Sequence, residues 1–212
     1  MMLREGLVDA RINNHYSVTS FYGIGGPQTL QQARHAYVLR HSIEFVEEPT
    51  GEFVEPTPTE KEEGVKPFPI VKIHIKINDK EVTTPERIVL SRNIGAQRYY
   101  GSLDIMKVNN QKVAIIQRLA DKNGEKNLEN QDWKIIWIDE KNHLTEEKIT
   151  YKNRGNHPLA VKLIMESNTT PMRIGYHSDL LEMYPSFVYP IFYPWGTFLI
   201  GLIFLISSIR KK

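Results

Sequence analysis

Val71-Lys-Ile-His-Ile-Lys-Ile77 decides the fold class, because every second residue is apolar and Lys72, His74 and Lys76 stand between them. Side chains of an extended strand point alternately to its two faces, so this stretch presents one apolar and one polar side. A helix would scatter the same isoleucines around its circumference. The flanks agree. Asn78-Asp79 carries turn chemistry towards a strand over 81–84, and 87–91 supplies another short run. Downstream, 99–108 and 112–119 flank Asn109-Asn110-Gln111 as a hairpin. Trp133-Lys-Ile-Ile-Trp-Ile138 is apolar at both parities, the pattern of a central strand covered on both faces. Trp133 and Trp137 share one of those faces, which reads as core, with an aromatic binding platform as the alternative.

Residues 139–142 then turn the chain into 147–152, which should bury Ile149 and Tyr151. Val161, Leu163 and Met165 share a face if 160–165 is extended, and 172–176 would be the last strand. Short strands at turn-punctuated spacing, without helical periodicity between them, predict a mainly β domain, an antiparallel β-sandwich or barrel. The stretch Lys148-Ile-Thr-Tyr-Lys-Asn-Arg-Gly-Asn-His-Pro-Leu-Ala-Val-Lys-Leu163 resembles a hairpin of immunoglobulin-like sandwich modules, which implies the sandwich form. The β domain is expected over 65–176.

Upstream, 1–26 is weakly patterned, and Tyr22-Gly-Ile-Gly-Gly26 reads as a flexible turn, since it lacks a third glycine at dinucleotide-binding spacing and no convincing strand precedes it. Thr29 to Gln32 has capping-box spacing and opens a short helix. Tyr37, Leu39, Ile43 and Phe45 fall on one face of an extended segment, with His41 interrupting the series, so 1–46 holds a short helix and a strand. Residues 47–64 contain seven glutamates, one lysine and three prolines, which predicts a solvated linker or a hairpin turning on Glu48-Pro-Thr-Gly51.

The C-terminus has a different solvent in view. No charged residue lies between Met183 and Arg210. Pro194 suits the first position of a helix, where its missing N–H costs nothing. The helix would run through Trp195, Phe198, Leu199, Ile200, Leu202, Ile203, Phe204, Leu205 and Ile206 to Arg210, Lys211 and Lys212. That is short for a bilayer core of about 30 Å, so the basic tail would snorkel. Tyr184, Phe187, Tyr189, Phe192 and Tyr193, in 177–193, form an aromatic belt at headgroup depth. One transmembrane anchor over 194–212 is therefore expected, with the lipid bilayer as a partner. The N-terminal residues lack the apolar core of a secretory signal, which outweighs the basic tail and favours a cytosol-facing domain.

A net charge of +2 gives no reason to expect nucleic acid, and the absence of cysteine excludes disulfides, thiolate metal sites and cysteine nucleophiles. The sharpest metal candidate is the 121–132 loop. Asp121, Asn123, Glu125, Glu129 and Asp132 place oxygens at calcium-loop positions, although the glycine is misplaced and the flanks read as strands. The bland alternative is a polar hairpin loop. No two histidines stand three or four apart, and no nucleophile elbow or phosphate loop occurs. No cofactor is expected. The first reading is a membrane-tethered, non-catalytic binding or assembly module, a subunit of a larger membrane complex. The alternative is a membrane-anchored hydrolase using carboxylates or a histidine-bound metal, with His74, His143 and His157 as the residues to watch.

Overall fold

In a computed structural model the described residues are 2–21, 30–91, 98–120, 131–169, 174–177 and 195–209. The quoted stretch lies in β4 (Phe68–Ile77), where Ile73, Ile75 and Ile77 are buried and Lys72 is exposed. Its sheet, entered from the short helix α2 (Leu30–Arg34), comprises β2 (His35–Val38), β3 (His41–Val54), β4 and β5 (Lys80–Glu81) in that order, with β6 (Glu86–Val89) also pairing with β4. The second sheet runs β1-β7-β8-β9-β10: Val18–Ser20, Leu103–Val108, Lys112–Arg118, Asp132–Asp139 and Leu144–Thr150. Every pairing is antiparallel. The chain is mainly β, with two antiparallel sheets consistent with a β-sandwich. Strands β7 to β10 are sequential neighbours, a meander rather than the Greek-key order of immunoglobulin-like modules.

Alternation explains why β9 is apolar at both parities. Ile136 and Ile138 join Ile43, Phe45, Ile73 and Ile75 in the core between the sheets. Trp133 and Ile135 face the other way, into a second core closed by α1 (Met2–His15) and α4 (Pro158–Glu166). The order of layers is therefore sheet, sheet, helices, and the outer face of the first sheet is left to water. That face carries mutually paired charges: Lys76 with Glu44 at 3.3 Å, Lys72 with Glu48 at 3.2 Å, and Arg87 with Glu52.

Four sequence expectations are corrected. Residues 1–26 contain a 14-residue helix, α1, with only Glu5 and Ile12 buried among its described side chains. So narrow a stripe leaves no visible period. Residues 47–54 are neither linker nor tight hairpin. They continue β3 along β4, with a register shift between Pro49 and Phe53 that absorbs Gly51. Beyond them, α3 (Pro58–Glu62) closes on a capping box between Thr57 and Glu60. The sandwich accordingly draws on residues well before 65.

The segment 160–165 is helical. Ala160, Val161, Leu163 and Ile164 are buried in α4, a 3–4 spacing in which the alternating Val161 and Leu163 are contained by coincidence. The stretch that resembles an immunoglobulin-like hairpin thus ends in a 3-10 turn and a helix. Lastly, β2 points Ala36 and Val38 inward and leaves Tyr37 73% exposed. Leu39 (φ 48°) and Arg40 (φ 73°) form a two-residue turn with both angles positive, which resets the phase before His41. Asparagine and aspartate at 78–79 and 109–110 advertise such a turn, and leucine with arginine does not.

The N-terminal helix is tied to the far end of the chain. Glu5, buried, accepts hydrogen bonds from the backbone N–H groups of Tyr176 and His177, both at 2.8 Å. Asp9 accepts from Tyr176 Oη at 2.9 Å and from Lys162 Nζ at 3.0 Å. Gly155 lies under His177, and a Cβ there would stand 2.7 Å from His177 Nδ1. Glu5→Ala should orphan two amides and lower stability by about 1–3 kcal/mol. Faster amide hydrogen exchange at Tyr176 and His177 would accompany the loss, and unchanged exchange there would contradict it.

No helix among the described residues is long and apolar enough to cross a membrane. The C-terminal helix α5 spans Thr197–Ile209, 13 residues, or about 20 Å at 1.5 Å per residue. Pro194, Arg210, Lys211 and Lys212 lie outside the described residues, as do Tyr184, Phe187, Tyr189, Phe192 and Tyr193. Ile174–His177 is described and is not a strand, while 170–173 falls outside.

Candidate functional site

Four hairpin turns converge on one end of the sandwich: 39–40, 78–79, 109–110 and 140–142. Leu39, Arg40, His41, Asn78, Asn110, Glu140, Lys141 and Asn142 line a polar cleft there of about 740 Å³, within the range of ligand sites. Five of these eight, Leu39, Arg40, Asn78, Asn110 and Asn142, have positive φ, the mark of tight turns, and Leu39 packs against the inter-sheet core. His41 is the exception in being buried, at 3% exposure, and its Nδ1 has no hydrogen-bond partner among the described residues. In the sequence it shows only as the residue that interrupts an apolar series.

The cleft and the Tyr176–His177 segment lie towards opposite ends of α1. The C-terminus of α1 is fixed beside the 109–110 turn, since Asn109 Oδ1 accepts from the Ser17 N–H at 2.7 Å and Nδ2 donates to the His15 carbonyl at 3.1 Å. Its first turns hold Tyr176 and His177, about 15–20 Å away along the helix axis.

The histidines are placed as follows. His74 stands on the outer face of β4 with Nε2 2.9 Å from Glu48 and Nδ1 2.7 Å from Glu81. Carboxylates only accept, so the ring donates through both nitrogens, and its pKa is raised, first by Glu48 and then by Glu81. His157 Nδ1 donates to Glu147 Oε1 at 2.5 Å, while Glu147 Oε2 accepts from Trp137 Nε1 at 3.0 Å. His143 is exposed in its turn and contributes a backbone N–H to Asp139. His74, His143 and His157 do not share a pocket, and among the described residues no group of three His, Asp or Glu could hold a metal ion. No known family, curated protein or solved structure matches the chain.

Asp121, Asn123, Glu125 and Glu129 lie outside the described residues. Asp132 opens β9, and its carboxylate pairs with Lys148 at 2.9 Å. Trp133 is core, fully buried. Trp137 is half-buried and borders a groove of about 420 Å³ with Tyr16 and Leu159. The shared strand face foreseen for the two tryptophans is observed, with one at the centre of the helix-covered core and the other at its rim.

Sequence reasoning overlooked the strongest electrostatic cluster. Glu47, its side chain 8% exposed, accepts from Arg34 at 2.9 and 3.2 Å, from Arg98 at 2.5 and 2.6 Å, and from Tyr99 Oη at 2.8 Å. Burial pushes the Glu47 pKa up, but the bonds from Arg98, Arg34 and Tyr99 outweigh it and bring the carboxyl to about 2. Tyr99 is pushed up by burial and by the adjacent carboxylate. The partners are 13, 51 and 52 residues from Glu47 along the chain, so spacing gave no signal. The cluster is saturated with its own bonds and serves the fold. The cleft, by contrast, leaves His41 Nδ1 unbonded.

Proposed function

We propose that the chain is a single-pass, membrane-anchored β-domain acting as a non-catalytic binding or assembly module, with the bilayer and other proteins of a membrane complex as its partners. The observation that carries this reading is the environment of α5. Its large apolar side chains from Phe198 to Ile206 are all open to solvent, from 44% at Leu202 to 72% at Phe204, and no charged residue occurs in the helix. A helix apolar on all sides belongs in a protein interior or in lipid. The anchor takes in Pro194 as its first residue and Arg210, Lys211 and Lys212 as its snorkelling tail, with Tyr184 to Tyr193 at the headgroups. The domain faces the cytosol on this reading.

A second reading rests on Glu147 and His157, where a carboxylate orients an imidazole through Nδ1 as in general-base pairs. Glu147 is shared with Trp137, and no hydroxyl nucleophile is seen bonded to His157 among the described residues. The module is therefore preferred to a hydrolase.

Alkaline carbonate extraction of membranes separates the outcomes. Full-length protein should stay in the pellet and float with lipid, while a chain ending at Met183 should remain in the supernatant. Full-length protein released by carbonate would refute the anchor.

A further inference from the structure

The geometry points to the hairpin-tip cleft as a docking site for a carboxylate-bearing peptide segment of a protein partner, seated between Arg40 and Lys141 with its main chain against the asparagine amides and His41. The inference rests on the reading of the domain as a binding module and is independent of the anchor.

Charge is the first argument. Across the outer face of the β2–β6 sheet, Lys72, Lys76, Arg87 and His74 each contact a glutamate. Arg40 and Lys141, like Lys80 and Lys112 elsewhere on the surface, lie outside this pattern. Neither side chain has an ion pair among the described residues, and Glu140 beside them is likewise unpaired. Two cations against one carboxylate leave the cleft lining net positive, which favours an acidic segment.

Hydrogen bonding is the second. His41 is nine-tenths buried, lines the cleft, and has an Nδ1 with no protein partner. A polar atom left in that condition costs stability unless something completes it. The Asn110 and Asn142 amides make no side-chain hydrogen bond among the described residues, and Asn78 uses only Oδ1, towards the Ser42 N–H at 3.0 Å. Amide side chains both donate and accept, as a peptide main chain requires and a simple anion does not.

Fluorescence anisotropy of fluorescein-labelled hexaglutamate, titrated with the full chain in detergent micelles, tests the proposal. Saturable binding is expected, with no saturable binding of hexalysine. The double variant Arg40→Glu, Lys141→Glu should weaken binding at least tenfold, and both positions are exposed turn residues whose reversal leaves the core intact. His41→Phe should weaken it less, and circular dichroism checks that this variant folds. Absence of saturation, or affinity unchanged by the charge reversals, overturns the proposal. Displacement by inorganic phosphate or acetate at the concentration effective for unlabelled hexaglutamate would reduce the cleft to a small-anion site and also overturn it. Carbonate extraction of the same preparation keeps the two readings apart, because a protein that washes off membranes yet binds hexaglutamate loses the anchor and keeps the cleft.

Discussion

Trp133→Ala should remove about 3–5 kcal/mol of stability, the cost of emptying a buried aromatic site, out of the ~5–15 kcal/mol that holds an ordinary domain together. Trp133 is fully buried, and its ring lies where β8, β9 and β10 meet the helices α1 and α4. The core there also holds Ile116, Ile149, Val161 and Ile164, so a cavity would be walled by three separate elements that cannot collapse together. A further feature makes the prediction sharper. Trp133 Nε1 is buried without a hydrogen-bond partner among the described residues, so Trp133→Phe discards an unsatisfied donor along with some volume. That variant should cost less than about 2 kcal/mol. Denaturant midpoints of the full chain in detergent measure both. Equal losses for the two variants would mean that the indole nitrogen is satisfied after all, and no loss for alanine would put Trp133 on a surface.

Glu47→Gln should cost about 3 kcal/mol, near the lower end of the ~3–5 kcal/mol seen when one partner of a buried ion pair is removed. The lower end applies because Arg34 is 40% exposed at its side chain and can turn into water, whereas Arg98, at 22%, has less freedom. The pH dependence supplies an independent check. Glu47 titrates near 4.5 when unfolded and at about 2 when folded. A depressed folded pKa contributes stability that is present above the unfolded value and is lost as pH falls from about 4.5 through about 2. The difference corresponds to about 3 kcal/mol. Acid titration of stability should therefore be flatter in Glu47→Gln than in the natural chain across that window. Parallel curves would remove Glu47 from the acid response.

The strands were legible where alternation was clean and turns were punctuated by asparagine or aspartate. β4, the β7–β8 hairpin and β9 all meet that condition. Three things hid the rest. In α1 only one apolar side chain among those described is buried, and much of its hold on the domain comes from Glu5 and Asp9, whose partners are over 150 residues away. In α4 the apolar residues are dense enough to satisfy a period of 2 and a period of 3.6 at once. In β3 the glutamates that suggested a solvated linker are distributed by the pleat, with Glu48 outward on Lys72 and His74, and Glu47 inward on Arg34 and Arg98. Alternation of identical residues cannot be seen in a composition. The cleft was invisible for a different reason: it is assembled from four turns spread over residues 39 to 142, and only the order of the strands brings them together.

The clasp between Glu5 and Tyr176 has a consequence for synthesis. The two residues are separated by 171 positions, so at about 5–20 residues per second the ribosome needs roughly 10–30 s to deliver the second after the first. During that interval α1 has emerged without α4, and the helix-facing side of β7, β8 and β9, with Met106, Ile116 and Ile135, has no cover. The inter-sheet core can close earlier, because the last residue packed into it is Leu144 and the pairing of β3 with β4 is complete by Ile77. Birth of this domain therefore passes through a stage in which one side of the sandwich is sealed and the other is bare, the kind of surface that chaperones bind.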